Sequence, residues 1–185
     1  MLVPNNSVTD TASGFPNSKI GIVAFSTLIS QLSLSELDSN RIMNFIDSLH
    51  QGQFTALYDG MLFGIGMLAN PNLDIEGKAI VTFTDGTDNY SIVPSDSVTA
   101  QLKRYNIKSY TIGLRGKGNL DETMLRDLSV SGAYEFANSP KGLQNIFNKF
   151  SNSVSDVYNI TYTRNRQAIT TDRKIRFEIS TKKKE

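Results

Sequence analysis

Residues 81–89 read VTFTDGTDN: an apolar run climbs to Asp85 and breaks at once into Gly86, Thr87, Asp88 and Asn89. A carboxylate at the end of a strand can help hold a hard divalent cation, which takes oxygen ligands in near-octahedral array. Asp, Ser and Thr supply such oxygens without histidine or cysteine. Thr55, in QFTALYDG, offers a second oxygen where a helical segment opens, and Ser26 closes another apolar run, KIGIVAFS. Each signal also has a plainer reading. Threonine is a common helix N-cap, and Asp-Gly is a common turn.

The totals narrow the chemistry. The 185 residues contain no cysteine and one histidine, His50, so thiolate, disulfide and multi-histidine sites are excluded. Nineteen basic residues stand against eighteen acidic ones, which gives no electrostatic case for nucleic acid or an anionic membrane. No apolar run approaches the ~18 residues of a membrane span. Residues 1–18 lack the basic and apolar regions of a signal peptide. There is no GxGxxG or GxxxxGK[ST] to cradle phosphate and no GxSxG nucleophile elbow.

The segments that must position Thr55 and Asp85 alternate in type. KIGIVAFS (19–26) and KAIVTFTD (78–85) read as strands buried on both faces. LISQLS (28–33) alternates like an edge strand. Ile42, Phe45, Ile46 and Leu49 follow helical spacing after the candidate caps Asp38 and Ser39. Residues 55–69 place Leu57, Met61, Ile65 and Leu68 on one helical face. Gly60, Gly64 and Gly66 inside that helix each cost about 1 kcal/mol relative to Ala, which a close approach to a sheet would compensate. A helix capped near Ser95, a strand at 106–114, a helix with an Asn119–Glu122 capping box and a short strand at 133–137 follow. Ser139-Pro140 opens a further helix. YNITY (158–162) and KIRFEIS (174–180) alternate and read as an antiparallel pair.

Strands alternating with helices imply an α/β fold with a doubly wound, mostly parallel sheet, whose sites form at the carboxyl ends of the strands. The words KIGIVAFS, FTALYDGM, KAIVTFTDGTDN, IKSYTIGL and LSVSGAYEFA, in this order and spacing, resemble the von Willebrand factor type A (vWA) domain over residues 19–157. The resemblance implies a Rossmann-like sheet with a metal-ion-dependent adhesion site (MIDAS) on its upper face. A DxSxS motif, a threonine and an aspartate hold Mg²⁺, Mn²⁺ or Ca²⁺ there, and a partner's carboxylate often completes the coordination. Thr55 matches the threonine and Asp85 the aspartate; Asp88 is not a matched ligand.

No DxSxS occurs in the sequence; TDTAS (9–13) has the wrong spacing. The resemblance therefore implies that the first, central strand and first helix, about 25 to 35 residues, are absent from this sequence. Residues 1–18 would be a loop and helix remnant, 19–157 a vWA-like domain, and 158–185 a hairpin extension. The expected function is a non-enzymatic protein-binding or adhesion module, metal-dependent in its intact form and weakly metal-binding or metal-free in this chain. The open sheet would also permit strand exchange or oligomerisation. Two alternatives remain: a structural scaffold of the same fold that binds no metal, and a hydrolase on a doubly wound fold.

Overall fold

The computed structural model describes residues 18–36, 38–50, 52–73, 77–115 and 120–155, the last five by backbone alone. Of the expected remnant at 1–18 only Ser18 is described, and the expected pair 158–162 and 174–180 lies outside the described residues. The chain opens with an antiparallel hairpin, β1 (Lys19–Phe25) and β2 (Ile29–Glu36). Its register runs from Lys19↔Glu36 to Phe25↔Ile29, with an irregularity between Ile20 and Ile22. The turn closes where Ser26 N donates to Leu28 O at 3.0 Å.

Helices α1 (Ser39–Asp47) and α2 (Leu57–Leu68) follow, then β3 (Ala79–Thr84), α3 (Ser95–Arg104), β4 (Lys108–Leu114), α4 (Glu122–Leu128), β5 (Tyr134–Ala137) and α5 (Pro140–Ser155). Strands β3, β4 and β5 form a parallel sheet in that order, with Ala79 opposite Lys108 and Thr111 opposite Tyr134. The caps explain several helix starts. The Asp38 carboxylate accepts from Arg41 N, and Ser139 Oγ accepts from Gly142 N. The cap of α4 is Asp121, which accepts from Met124 N, and not Asn119. The expected cap Ser95 is instead the first helical residue of α3.

Helices lie on both faces of the parallel sheet. On one, Leu57, Met61 and Ile65 of α2 pack with Val98 and Leu102 of α3 and Leu125 and Leu128 of α4. Thr111 on that side donates its hydroxyl to Leu125 O or shares it with Ser129 Oγ. On the other, Tyr110 and Ile112 of β4 pack with Ile146 and Phe150 of α5. This is the doubly wound arrangement expected from the alternation of elements.

The expectation that β1 and β3 are buried on both faces does not hold. In β3, Thr82 and Thr84 are buried while Val81 and Phe83 are 37% and 52% exposed. None of the β1 residues is fully buried. The reason is one-sided cover: α2 packs on both strands, while on the other face of β3 Phe147 of α5 meets Phe83 edge-on.

Two of the three helix glycines make the close approach. A Cβ on Gly60 would stand 2.7 Å from Phe25 Cβ. One on Gly64 would stand 3.7 Å from Ile80 and 3.9 Å from Val23, so this turn of α2 lies against both strands. Gly66 is exposed, with nothing within 4 Å. Gly66→Ala should therefore stabilise the fold by about 1 kcal/mol, raising the melting temperature by roughly 2–4 °C. Gly60→Ala should lower stability by about 1–3 kcal/mol, because Phe25 must move. Thermal melts of the two variants check this; shifts of the same sign would contradict the packing of α2.

Candidate functional site at the carboxyl ends of the strands

The loop leaving β3 folds tightly on itself. Thr84 Oγ1 donates to Gly86 O at 2.9 Å and accepts from Gly86 N. That turn places Asp85 at its outer side, exposed, and its carboxylate makes no hydrogen bond among the described residues.

Thr55 is fastened to the same loop by its backbone. Its N–H donates to Asn89 Oδ1 at 2.8 Å, and Asn89 N donates back to Thr55 O at 3.0 Å. The Thr55 hydroxyl faces Gly86, where it would lie 3.5 Å from an added Cβ. Thr55 does not cap α2: the cap position is Ala56, which supplies no side-chain bond. So Thr55 and Asp85 meet at one end of a single cleft, lined there also by Thr84.

The remaining acids of the loop are committed to the fold. Asp88 accepts from Tyr58 N in the first turn of α2, from Ser91 N and from Ser91 Oγ. Asp59 accepts from Ile92 N and Val93 N, while its own N–H donates to Ser91 Oγ. This latch supplies the α2 start with the carboxylates its unpaired N–H groups favour. Sequence reasoning missed it. The only signal was Asp59 in the first turn of a helix and Ser91 three residues after Asp88.

Burial, then the charges of Asp88 and Asp121, raise the Tyr58 hydroxyl above the ordinary tyrosine range. What that adds to stability is present below about pH 10 and is lost as the pH rises through the raised folded value. Ser26 is used locally, its hydroxyl within 3.4 Å of Leu28 O and N.

Phe54 and Tyr90 are the chain neighbours of the clamped Thr55 and Asn89. Phe54 and Tyr90 are both exposed and stack with ring centroids 5.1 Å apart and 12° between planes. Leu28 is 77% and Ile92 93% exposed.

Residues 5–149 match the family model of the von Willebrand factor type A domain. The chain belongs to the vWA family. None of the curated proteins matches it. Among solved structures, it is similar to BatB from Bacteroides thetaiotaomicron, at 16% identity and a TM-score of 0.58, over 78% of this chain and 82% of that one. It is similar to a von Willebrand factor type A protein from Catenulispora acidiphila, at 17% identity and TM-score 0.59, covering 72% of this chain and 33% of that one. A third is proximal thread matrix protein 1 from the mussel byssus with a zinc-occupied MIDAS motif, at 21% identity and TM-score 0.59, covering 74% and 35%. The chain thus spans about a third of the latter two proteins, and these likenesses speak to the vWA fold.

A MIDAS metal is usual in vWA domains. Among the described residues no cluster of three His, Cys, Asp or Glu could hold an ion. Thr55 and Asp85 bring one hydroxyl and one carboxylate to the cleft end, with Asp59 and Asp88 occupied elsewhere. A hard cation that takes six or more oxygens does not find a complete site in these two. No helix among the described residues is long and apolar enough to cross a membrane.

Proposed function

We propose that this vWA domain is a non-enzymatic protein-binding module whose partner docks on the rim around Asp85, with Thr55 and Asp85 as its metal-facing residues. The observation that carries the reading is a division of labour. Asp59 and Asp88 are fully engaged in hydrogen bonds, whereas Asp85 is exposed, makes no hydrogen bond among the described residues and shares its cleft end with Thr55, whose neighbour Phe54 stacks on Tyr90. An exposed carboxylate on a rim that also exposes stacked aromatic rings suits a protein contact. The metal is a helper that two ligands hold weakly: Mg²⁺ keeps most of its water on such a site.

Mn²⁺ titration followed by NMR tests this. Paramagnetic broadening should centre on Thr55, Asp85 and Gly86 at millimolar metal and disappear in Asp85→Ala, with the rest of the spectrum unchanged. Broadening spread over all surface acids, or indifferent to Asp85→Ala, would leave the chain as a metal-free scaffold. A micromolar site removed by Asp85→Ala would show that further ligands stand near Thr55 and Asp85.

A further inference from the structure

The sequence holds two Asp-Gly pairs, Asp59–Gly60 and Asp85–Gly86. Such a pair can rearrange without an enzyme, because glycine has no Cβ to shield its nitrogen. The glycine N attacks the aspartate Cγ and closes a five-membered succinimide. A carboxyl hydroxyl and the amide proton leave as one water. A second water then opens the ring at either carbonyl. Opening at the backbone carbonyl leaves the chain running through Cβ, as isoaspartate, and the former backbone carbonyl becomes the free carboxylate. One water leaves and one enters, so the mass is unchanged and nothing is oxidised or reduced.

The fold treats the two pairs differently. Asp59 lies in the first turn of α2, where its carboxylate accepts from Ile92 N and Val93 N. Gly60 is buried, its N–H donates to Ala56 O at 3.0 Å, and Phe25 stands against it. Ring closure there must pull the carboxylate from two donors and the nitrogen from the helix ladder, and must turn the backbone out of its helical torsions. Asp85–Gly86 carries none of these restraints. Asp85 follows the last residue of β3, is exposed, and its carboxylate makes no hydrogen bond among the described residues. Among those residues Gly86 N bonds only Thr84 Oγ1, at 3.3 Å, which is long against the usual ~2.9–3.0 Å. There is also room. Among the described residues beyond its chain neighbours, only the Thr55 hydroxyl would lie within 4 Å of a Cβ on Gly86, at 3.5 Å.

We propose that Asp85–Gly86 is a site of spontaneous isomerisation to isoaspartate in the folded domain, and that the fold protects Asp59–Gly60. The change falls on the carboxylate at the cleft end. Isoaspartate adds one carbon to the main chain between Thr84 and Gly86. The turn in which Thr84 Oγ1 bonds both Gly86 N and Gly86 O cannot keep its geometry. The new carboxylate hangs directly on Cα and leaves its place beside Thr55. The core is untouched, since Asp85 belongs to neither hydrophobic cluster. Ageing thus removes the site and spares the fold.

Trypsin places the two pairs on different peptides, 42–78 and 79–103. The full chain is kept at body temperature and neutral pH for several weeks. Isoaspartate is read on each peptide by fragmentation mass spectrometry and by methyl labelling with an isoaspartate methyltransferase. In the folded chain it should accumulate at Asp85 about tenfold or more faster than at Asp59, where closure must first break hydrogen bonds to a charged group. In urea the two rates should converge. No described glycine has a positive φ, so alanine fits at 86. Gly86→Ala should melt like the parent and slow the change at Asp85 by about tenfold, because its methyl group shields the nitrogen. A folded chain in which Asp85 ages no faster than Asp59, or a folded Gly86→Ala in which it ages no more slowly, overturns the proposal. If Gly86→Ala does not fold, the folded and urea rates of the parent still decide. The mass readout is independent of the protein-binding reading: isoaspartate at Asp85 in a chain without Mn²⁺ broadening supports this proposal and removes the metal from that one.

Discussion

Asp88→Ala is expected to lower the stability of the domain by about 2–3 kcal/mol, a loss of roughly 5–10 °C in melting temperature for a chain of this size. The carboxylate accepts three bonds, from Tyr58 N, Ser91 N and Ser91 Oγ. Hydrogen bonds to a charged acceptor contribute about 1.5–3 kcal/mol each, and loss of a helix cap costs about 0.5–2 kcal/mol. These do not add, because the three share one acceptor and the site is only partly buried, so water replaces some of what is lost. The effect is still large because Ala56 at the cap position has no side chain to take over. Asp88→Asn keeps one acceptor oxygen and should lose about half as much. The loop that holds Asp85 loosens with Asp88, so Mn²⁺ broadening in Asp88→Ala should spread beyond Thr55 and Gly86. Circular dichroism melts decide the first part: an Asp88→Ala midpoint within 1 °C of the parent would mean that the latch contributes nothing.

That latch marks where sequence reading stopped. The periodic elements were legible, because α2 and β3 carry their patterns within a dozen residues. That Thr55 and Asp85 come together was legible through the family resemblance, which ties together two words 30 residues apart; the cleft they share was not. The partner of Asp88 was not, because Tyr58 N is a backbone group and leaves no mark on residue type. For the same reason Thr55 looked like a cap while the capping carboxylate came from the next loop. The cap of α4 shows a local version. Asp121 bonds the N–H three residues on, as Asn119 would have done two positions earlier, and composition does not choose between them. Apolar runs misled in β1 and β3, since Val81 and Phe83 report a preference for cover and not its presence. The helix glycines divide likewise: Gly60 and Gly64 meet strands, Gly66 meets nothing, and only the facing element tells them apart.

Gly132→Ala should be the most damaging single methyl addition in the domain, lowering stability by about 3–5 kcal/mol or preventing folding. Gly132 lies in the turn between α4 and β5, and its neighbour Ser131 already has a φ of 54°. A Cβ there would sit 2.0 Å from Ser109 O and 2.7 Å from Ser109 C. These are backbone atoms of β4, which no rotamer change can move aside. Relief requires the turn and β4 to separate. Yet the turn is pinned on both sides of Gly132, by Ser109 N donating to Val130 O at 2.9 Å and Thr111 N donating to Ala133 O at 3.0 Å. Both Ser109 and Thr111 are fully buried, so breaking either bond leaves a buried N–H unpaired at about 1–3 kcal/mol. The adjoining pairing of Thr111 with Tyr134 at the start of β5 is strained in turn. Because β4 is the central strand of the parallel sheet, the damage reaches both hydrophobic clusters and not just an edge. Urea unfolding of Gly132→Ala beside Gly66→Ala gives the contrast: one methyl should lower the midpoint steeply and the other raise it. A Gly132→Ala midpoint equal to the parent's would show that β4 and the turn are farther apart than 2.0 Å implies.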